Sequence, residues 1–490
     1  MKPTNLLFIL SDQHSRDMLG CYGNRVVRTP NLDGLAARGA RFNAAYTNCP
    51  ICVPARASLA TGRYVHEIGY WDNAFPYEGR VTGWGQELRA TGHRVESIGK
   101  LHFRGREGDD VGFGETHIPL NVVDGVGDVM GAIRDETMPV REGARASILS
   151  AGPGDSTYLR YDADIADRAA EWLRDAATRD DDKPWVLFVS FVCPHPPFVA
   201  PPDLYAHYAE ADLPAPVQHA PDDRPDHPVL SHFRRTFQHE EPYTLDELRA
   251  VTAAYYGTSE YLDQQVGKVV GALADAGIED RTRVLYTSDH GESLGRRGLF
   301  GKFTMYEESA GVPLILAGPD VPRAALNDDP VSLVDCYDTI LECVGATPET
   351  GGRPGMSLWP LTAGEARDGY AFCEYHAVGA SSAIYMLRDR RHKYVHYVGH
   401  APQLFDLSSD PHELDDLAGD AGSAATLARM EAALREMLDP EATDARAKAD
   451  QRRLVDMHGG PQAVIARGTF TNSPAPGETP MFHAGVAEDT

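Results

Sequence analysis

The sequence predicts an α/β fold: a large mixed sheet with helices on both faces, followed by a small antiparallel sheet. Two observations carry this. From residue 1 to about 370, short β-rich runs alternate with longer segments of helical period, the pattern of a sheet covered on both sides. Beyond about 370 the pattern changes to closely spaced short strands, which implies an antiparallel meander.

The expected strands of the first region are Asn5–Leu10, Arg94–Ile98, Trp185–Phe191, Arg283–Thr287 and Pro313–Ile315. Segments 164–175 and 258–274 carry apolar residues at helical spacing. Two stretches, roughly 104–160 and 196–245, are rich in turn-forming and polar residues and are expected as long loops covering a site. The later strands are Ala371–Tyr375, Ile384–Arg388, Lys393–Tyr397 and Gln403–Leu407, followed by a helix over 424–437. This gives a division into 1–370, 371–445 and a tail, 446–490, whose Gly459, Gly460 and prolines predict an extended course. No internal repeat is present.

Bulk composition limits the function. Hydrophobic residues make up 42% and charged residues 24% of 490, a globular composition that excludes disorder. The net charge of −26 disfavours nucleic acid and anionic membranes as partners, but a local cation cluster can still hold a small anion. No apolar run has the length of a membrane span, and Leu6–Leu10 leads directly into Ser11-Asp12-Gln13, so it is expected as a strand with no export signal. Seven cysteines in so long a chain argue against a disulfide framework and, with the missing signal, for a cytoplasmic, bacterial-type protein.

Chemistry in such folds gathers at the carboxyl ends of strands. Four expected strands end there in polar clusters: Asp12-Gln13, Lys100-Leu101-His102, Pro194-His195 and Asp289-His290. A fifth cluster is Cys52-Val53-Pro54-Ala55-Arg56, followed by Thr61-Gly62-Arg63. Cys49 and Cys52 also form a C-x-x-C, but a zinc site wants a second Cys or His pair nearby, and no matching pair occurs.

The C-x-P-x-R pattern with its downstream T-G-R resembles the type I sulfatases of the alkaline phosphatase superfamily, over most of the chain. The resemblance implies an alkaline-phosphatase-like sandwich and conversion of Cys52 to 3-oxoalanine (formylglycine) by a formylglycine-generating enzyme. Ala55 stands where the family often has Ser. As its hydrate, the aldehyde offers one hydroxyl to attack sulfur and a second whose deprotonation expels sulfate. A helix expected to begin close after Pro54 would favour an anionic ester at its N-terminus, with Arg56 paired to the nucleophile or the sulfate.

By the same resemblance, Asp12, Gln13, Asp289 and His290, with the modified Cys52, hold one divalent metal. Ca²⁺ or Mg²⁺ tolerates this mixture of hard oxygens and one nitrogen, whereas the imidazole suits Mn²⁺ better. Asp-Gln and Asp-His in place of two acids and Asp-Asn look most like the choline sulfatase and phosphonate monoester hydrolase branch. Lys100 and Lys302 match positions that neutralise the nonbridging oxygens, His102 the base on the second hydroxyl, and His195 the acid at the leaving alcohol. Asn73, in Trp71-Asp72-Asn73, matches a substrate-binding position, and an Asp-Asn turn explains it equally well. His14, His93 and His458 are expected at the surface or in loops.

The expected reaction is hydrolysis of a sulfate monoester. A phosphonate monoester or phosphodiester hydrolase with the same nucleophile, and a non-catalytic relative with an unmodified Cys52, are the alternatives. The expected partners are a small anionic ester and, because tails in the choline sulfatase branch pack on a neighbouring subunit, a second copy in a homodimer or homotetramer. The alcohol itself is not readable from the sequence.

Overall fold

The computed structural model describes residues 2–134, 138–179, 182–348 and 352–483. Eight strands form the central sheet: β1 (Asn5–Asp12), β2 (Gly39–Phe42), β3 (Val95–Lys100), β4 (Glu115–Leu120), β5 (Val186–Pro194), β6 (Thr282–Ser288), β7 (Leu314–Ala317) and β8 (Ala325–Asn327). Their order is β8-β2-β7-β6-β1-β5-β3-β4, and every pairing is parallel except the two made by β7. The sheet is mixed, as its pattern predicts.

Strand β1 shows why the sheet is buried on both faces. Leu6, Phe8 and Leu10 pack into one core with Phe188 and Leu285, while Leu7 and Ile9 face a second core beneath the long helices. All five are fully buried, so the period-two alternation is apolar on both sides. The second core is roofed by helix α2 (Thr157–Ala177) and helix α3 (Leu245–Asp275), the latter opened by a Thr244–Glu247 capping box.

The small sheet consists of β9 (Ala371–Tyr375), β10 (Ile384–Arg388), β11 (His392–Tyr397) and β12 (Gln403–Asp406), a simple antiparallel meander. Helix α4 (Ala424–Met437) lies against it.

Several expectations need correction. The polar stretch 104–160 contains strand β4 and a short helix at Ala144–Leu149, and 196–245 contains helices at Pro202–Glu210 and Pro228–Thr236. Turn-rich composition hid them because each is short and packed by tertiary contacts. The tail is not extended throughout. Helix α5 (Pro440–Met457) crosses position 445, capped by Asp439, whose side chain accepts the Ala442 N–H at 3.0 Å, and Pro440 occupies its first turn. Helix α6 (Pro461–Arg467) follows, so Gly459 and Gly460 join two helices. His14 is fully buried and bonded to the Tyr286 hydroxyl, which places it in the core. Among the described residues, no helix is long and apolar enough to cross a membrane.

Candidate active site

The site forms where β1, β3, β5 and β6 end. At the ends of β1 and β3 the chain turns sharply, with Gln13 and His102 at positive φ (65° and 56°). Non-glycine residues rarely adopt that region, and where they do, surrounding contacts hold them.

Cys52 is the first residue of helix α1 (Cys52–Thr61), which therefore starts before Pro54 and not close after it as the sequence suggested. Pro54 sits inside the first turn, where a missing N–H costs nothing. The Asn73 side-chain oxygen accepts the Val53 N–H at 3.1 Å, satisfying another N-terminal donor. Gly62 ends the helix at φ 63°, donating to the Ser58 carbonyl, and a Cβ there would lie 2.7 Å from the Tyr337 ring. The downstream T-G-R thus ends the helix that Cys52 opens.

Around Cys52 the predicted residues converge. Ligand atoms of Asp12, Cys52, Asp289 and His290 all lie within 4.8 Å of one another, and all four residues are buried. Cys52 Sγ lies 3.1 Å from His290 Nε2 and 3.7 Å from Asp12 Oδ1. Arg56, one helical turn after Cys52, donates from Nη2 to Asp12 Oδ2 (3.0 Å) and from Nε to Asp289 Oδ2 (2.8 Å). Its Nη1 donates to the Lys100 carbonyl and to Ser190 Oγ, both at 2.9 Å. Lys100 Nζ stands 2.7 Å from Asp12 Oδ2. Lys302 Nζ donates to Gln13 Oε1 at 2.5 Å, and the Gln13 amide nitrogen donates to Glu292.

The charges explain the protonation states. Burial alone would raise the Asp12 carboxyl, but the Lys100 and Arg56 cations beside it hold it well below the usual carboxylate range. Asp289 moves the other way, pushed up by burial and by the Asp12 charge. His102, His195 and His290 are lowered, first by burial and then by nearby cations, so each ring is neutral. Burial, then Asp12, pushes the Cys52 thiol up to about 11, which makes an unmodified cysteine a weak nucleophile.

Two buried carboxylates, of which Asp289 is raised by the charge of Asp12, form with one imidazole and the Cys52 side chain a donor set that fits a divalent cation. A cation relieves the repulsion that holds Asp289 high. Gln13 oxygen is shared with Lys302, so its place in that set depends on giving up this bond.

A cavity of about 160 Å³ opens above Cys52. Gln13, Asn73, His102, His195 and Lys302 line it with Cys52, whereas Asp12, Arg56, Lys100, Asp289 and His290 do not reach it and are buried around Cys52. Arg141 and Phe237 come from the two long connections that the sequence expects to cover a site, whereas the sequence did not indicate Phe300, Phe303 or Thr469–Ser473 of the C-terminal segment. Glu292, two residues beyond His290 and holding Gln13, was also missed, although its proximity to His290 offered a signal. Burial pushes its carboxyl up to about 7.

Comparison with known proteins gives the family and the fold. Residues 4–346 match the family described as Sulfatase, and residues 295–439 match the C-terminal region of N-sulphoglucosamine sulphohydrolase. The chain is 32% identical to the zebrafish (Danio rerio) protein named Arylsulfatase K, over 84% of this chain and 80% of that one. It is also 32% identical to a Choline-sulfatase of Rhizobium meliloti (strain 1021), covering 92% and 90%. In three dimensions it resembles the phosphonate monoester hydrolase of Agrobacterium radiobacter, with TM-score 0.70, 25% identity, and coverage of 91% and 96%.

Proposed function

We propose that this chain, which belongs to the sulfatase family and is accordingly a sulfuric ester hydrolase, cleaves sulfate monoesters with a nucleophile made from Cys52. The observation that carries this reading is the placement of Cys52 at a helix N-terminus, with Asp12, Asp289 and His290 on one side. Lys302, His102 and His195 line the cavity above it.

An aldehyde generated from Cys52 supplies, as its hydrate, a hydroxyl nucleophile without requiring water to attack sulfur. Asp12, Asp289 and His290, with Gln13 as a further oxygen donor, would hold a divalent cation, which would supply charge neutralisation for the anionic ester. The donor set favours Mn²⁺ over Ca²⁺ or Mg²⁺.

The remaining work belongs to the chain's own side chains. The N-terminal end of helix α1 and Lys302 face the anionic ester, and Lys100 adds positive charge beneath it, so oxygens developing charge are stabilised in a buried setting. His195 Nδ1 donates to the Pro196 carbonyl at 2.7 Å, so Nε2 is the nitrogen left for the departing alcohol, and it gives that oxygen a proton only after taking one up, because the neutral ring carries its own on Nδ1. His102, neutral and buried at the cavity wall, takes a proton from the second hydroxyl.

Gln13 and His290 at the metal set, with the likeness to a phosphonate monoester hydrolase, favour a second reading in which a phosphonate or phosphate diester is cleaved by the same nucleophile. Initial rates on an aryl sulfate and an aryl phosphonate monoester separate the two, using protein coexpressed with a formylglycine-generating enzyme and Cys52→Ala as control. A higher kcat/KM for the sulfate, lost in Cys52→Ala, is expected. Preference for the phosphonate would establish the second reading, and parent activity that survives in Cys52→Ala would remove Cys52 as the nucleophile.

A further inference from the structure

The stretch after helix α6 does not hang free of the molecule. It returns across the cavity, and its polar groups engage the site. The Ser473 hydroxyl lies 2.9 Å from His102 Nε2, and the Ser473 carbonyl accepts the Tyr158 hydroxyl. The Asn472 amide, oriented to donate, reaches the Pro196 carbonyl at 2.9 Å. That carbonyl is also the acceptor for His195 Nδ1 at 2.7 Å.

The segment is anchored at both ends. Thr469 is buried, pairs with His483 through both backbone N–H groups, and donates its hydroxyl to Asp128 Oδ1 at 3.0 Å. Arg141 reaches the same threonine and the same aspartate. On the far side, Ala475 inserts into the core beneath the central sheet, and its N–H donates to Glu478. Ser473 is itself 7% exposed. Holding a short polar segment this firmly has a conformational cost that a passive tail would not incur.

We propose that Thr469–Ser473 is a working part of the site, in which Ser473 and Asn472 are positioning residues for His102 and His195. This rests on the reading of those two histidines as the groups that move protons. The Pro196 carbonyl can only accept, so it keeps the His195 proton on Nδ1 and the Nε2 lone pair free. Asn472 holds that carbonyl in place from the other side. Ser473 gives His102 Nε2 its one hydrogen bond, and Nδ1 has none among the described residues, so the serine hydroxyl is the ring's one polar anchor and fixes its orientation at the cavity wall.

The test uses the full chain with ring-¹⁵N-labelled histidine, comparing parent, Ser473→Ala and Ser473→Thr, with His102→Gln to assign the resonances. The His102 ring-nitrogen shifts should move in Ser473→Ala and return toward the parent in Ser473→Thr. With an aryl sulfate, kcat of Ser473→Ala should fall by about 10- to 100-fold while KM stays nearly unchanged, and Ser473→Thr should recover most of it. Unmoved ring shifts in Ser473→Ala would overturn the proposal even if the parent proves inactive on esters. So would an active parent whose kcat is insensitive to Ser473→Ala, or a loss expressed only in KM. An inactive parent with shifts that move as expected would leave Ser473 as the positioning residue and refute the catalytic reading instead.

Discussion

Arg56 donates its Nε–H to Asp289 Oδ2 at 2.8 Å, with both side chains almost wholly buried. The same guanidinium reaches Asp12, so one planar cation ties the ends of β1 and β6 together beside the nucleophile. Removing one member of a buried pair leaves the other charged and unpaired. Arg56→Ala is expected to cost about 3–5 kcal/mol of stability, read by denaturant unfolding, and to abolish activity. Unfolding at the parent's midpoint would show that Arg56 does not bind the two carboxylates together.

Metal binding should stabilise the parent fold. Mn²⁺ at about 100 times its Kd is expected to raise the unfolding free energy by about 2.7 kcal/mol. A chelator should reverse the gain. Asp289→Asn should lose most of the metal-dependent increment, as measured by thermal unfolding with and without the ion. The same increment in both proteins would take Asp289 out of the ligand set.

Asp162 should make stability depend on pH. Its two carboxylate oxygens accept the Val192 and Cys193 N–H groups, each at 2.8 Å, where β5 leads to His195. Burial outweighs these bonds and pushes the carboxyl up to about 6. A carboxyl raised above its unfolded value of about 3.9 stabilises the fold when protonated, and that contribution disappears as pH rises from about 4 through 6. Relative to Asp162→Asn, the parent is expected to lose up to about 3 kcal/mol over that window. Parallel stability curves for the two proteins would refute this.

Gly62→Ala should destabilise the nucleophile helix by about 1–3 kcal/mol, because the new methyl meets the Tyr337 ring at a positive φ. Removing that ring should isolate the two effects. Paired with Tyr337→Leu, the substitution should cost measurably less in chemical denaturation than it does alone. Equal costs in both backgrounds would show that the ring is not the obstacle.

Much of the sheet was readable because its strands are apolar on both faces and end in charged clusters. The runs at Asn5, Val186 and Thr282 stand out from polar surroundings, and Asp12, His195 and Asp289 sit at or just beyond their ends. The strands Gly39–Phe42, Glu115–Leu120 and Ala325–Asn327 were missed. They are short edge or near-edge strands whose pairing partner, not their own composition, makes them strands. The helix Pro440–Met457 was missed because attention to glycine and proline obscured its Asp439 cap and alanine-rich run.

The sequence by itself determined the nucleophile candidate, the candidate carboxylate and imidazole ligands, the cations near them and the main strands that carry them. Each of these depends on residue type at a fixed local spacing, and Cys52 to Arg56 is one turn of helix. Only the tertiary structure decided what stands above the cysteine. Ser473 meets His102 across 371 positions, and Thr469 meets Asp128 across 341. Such contacts leave no local periodicity in the chain, because they come from the packing of helices and tail against the finished sheet, and folding alone brings them together.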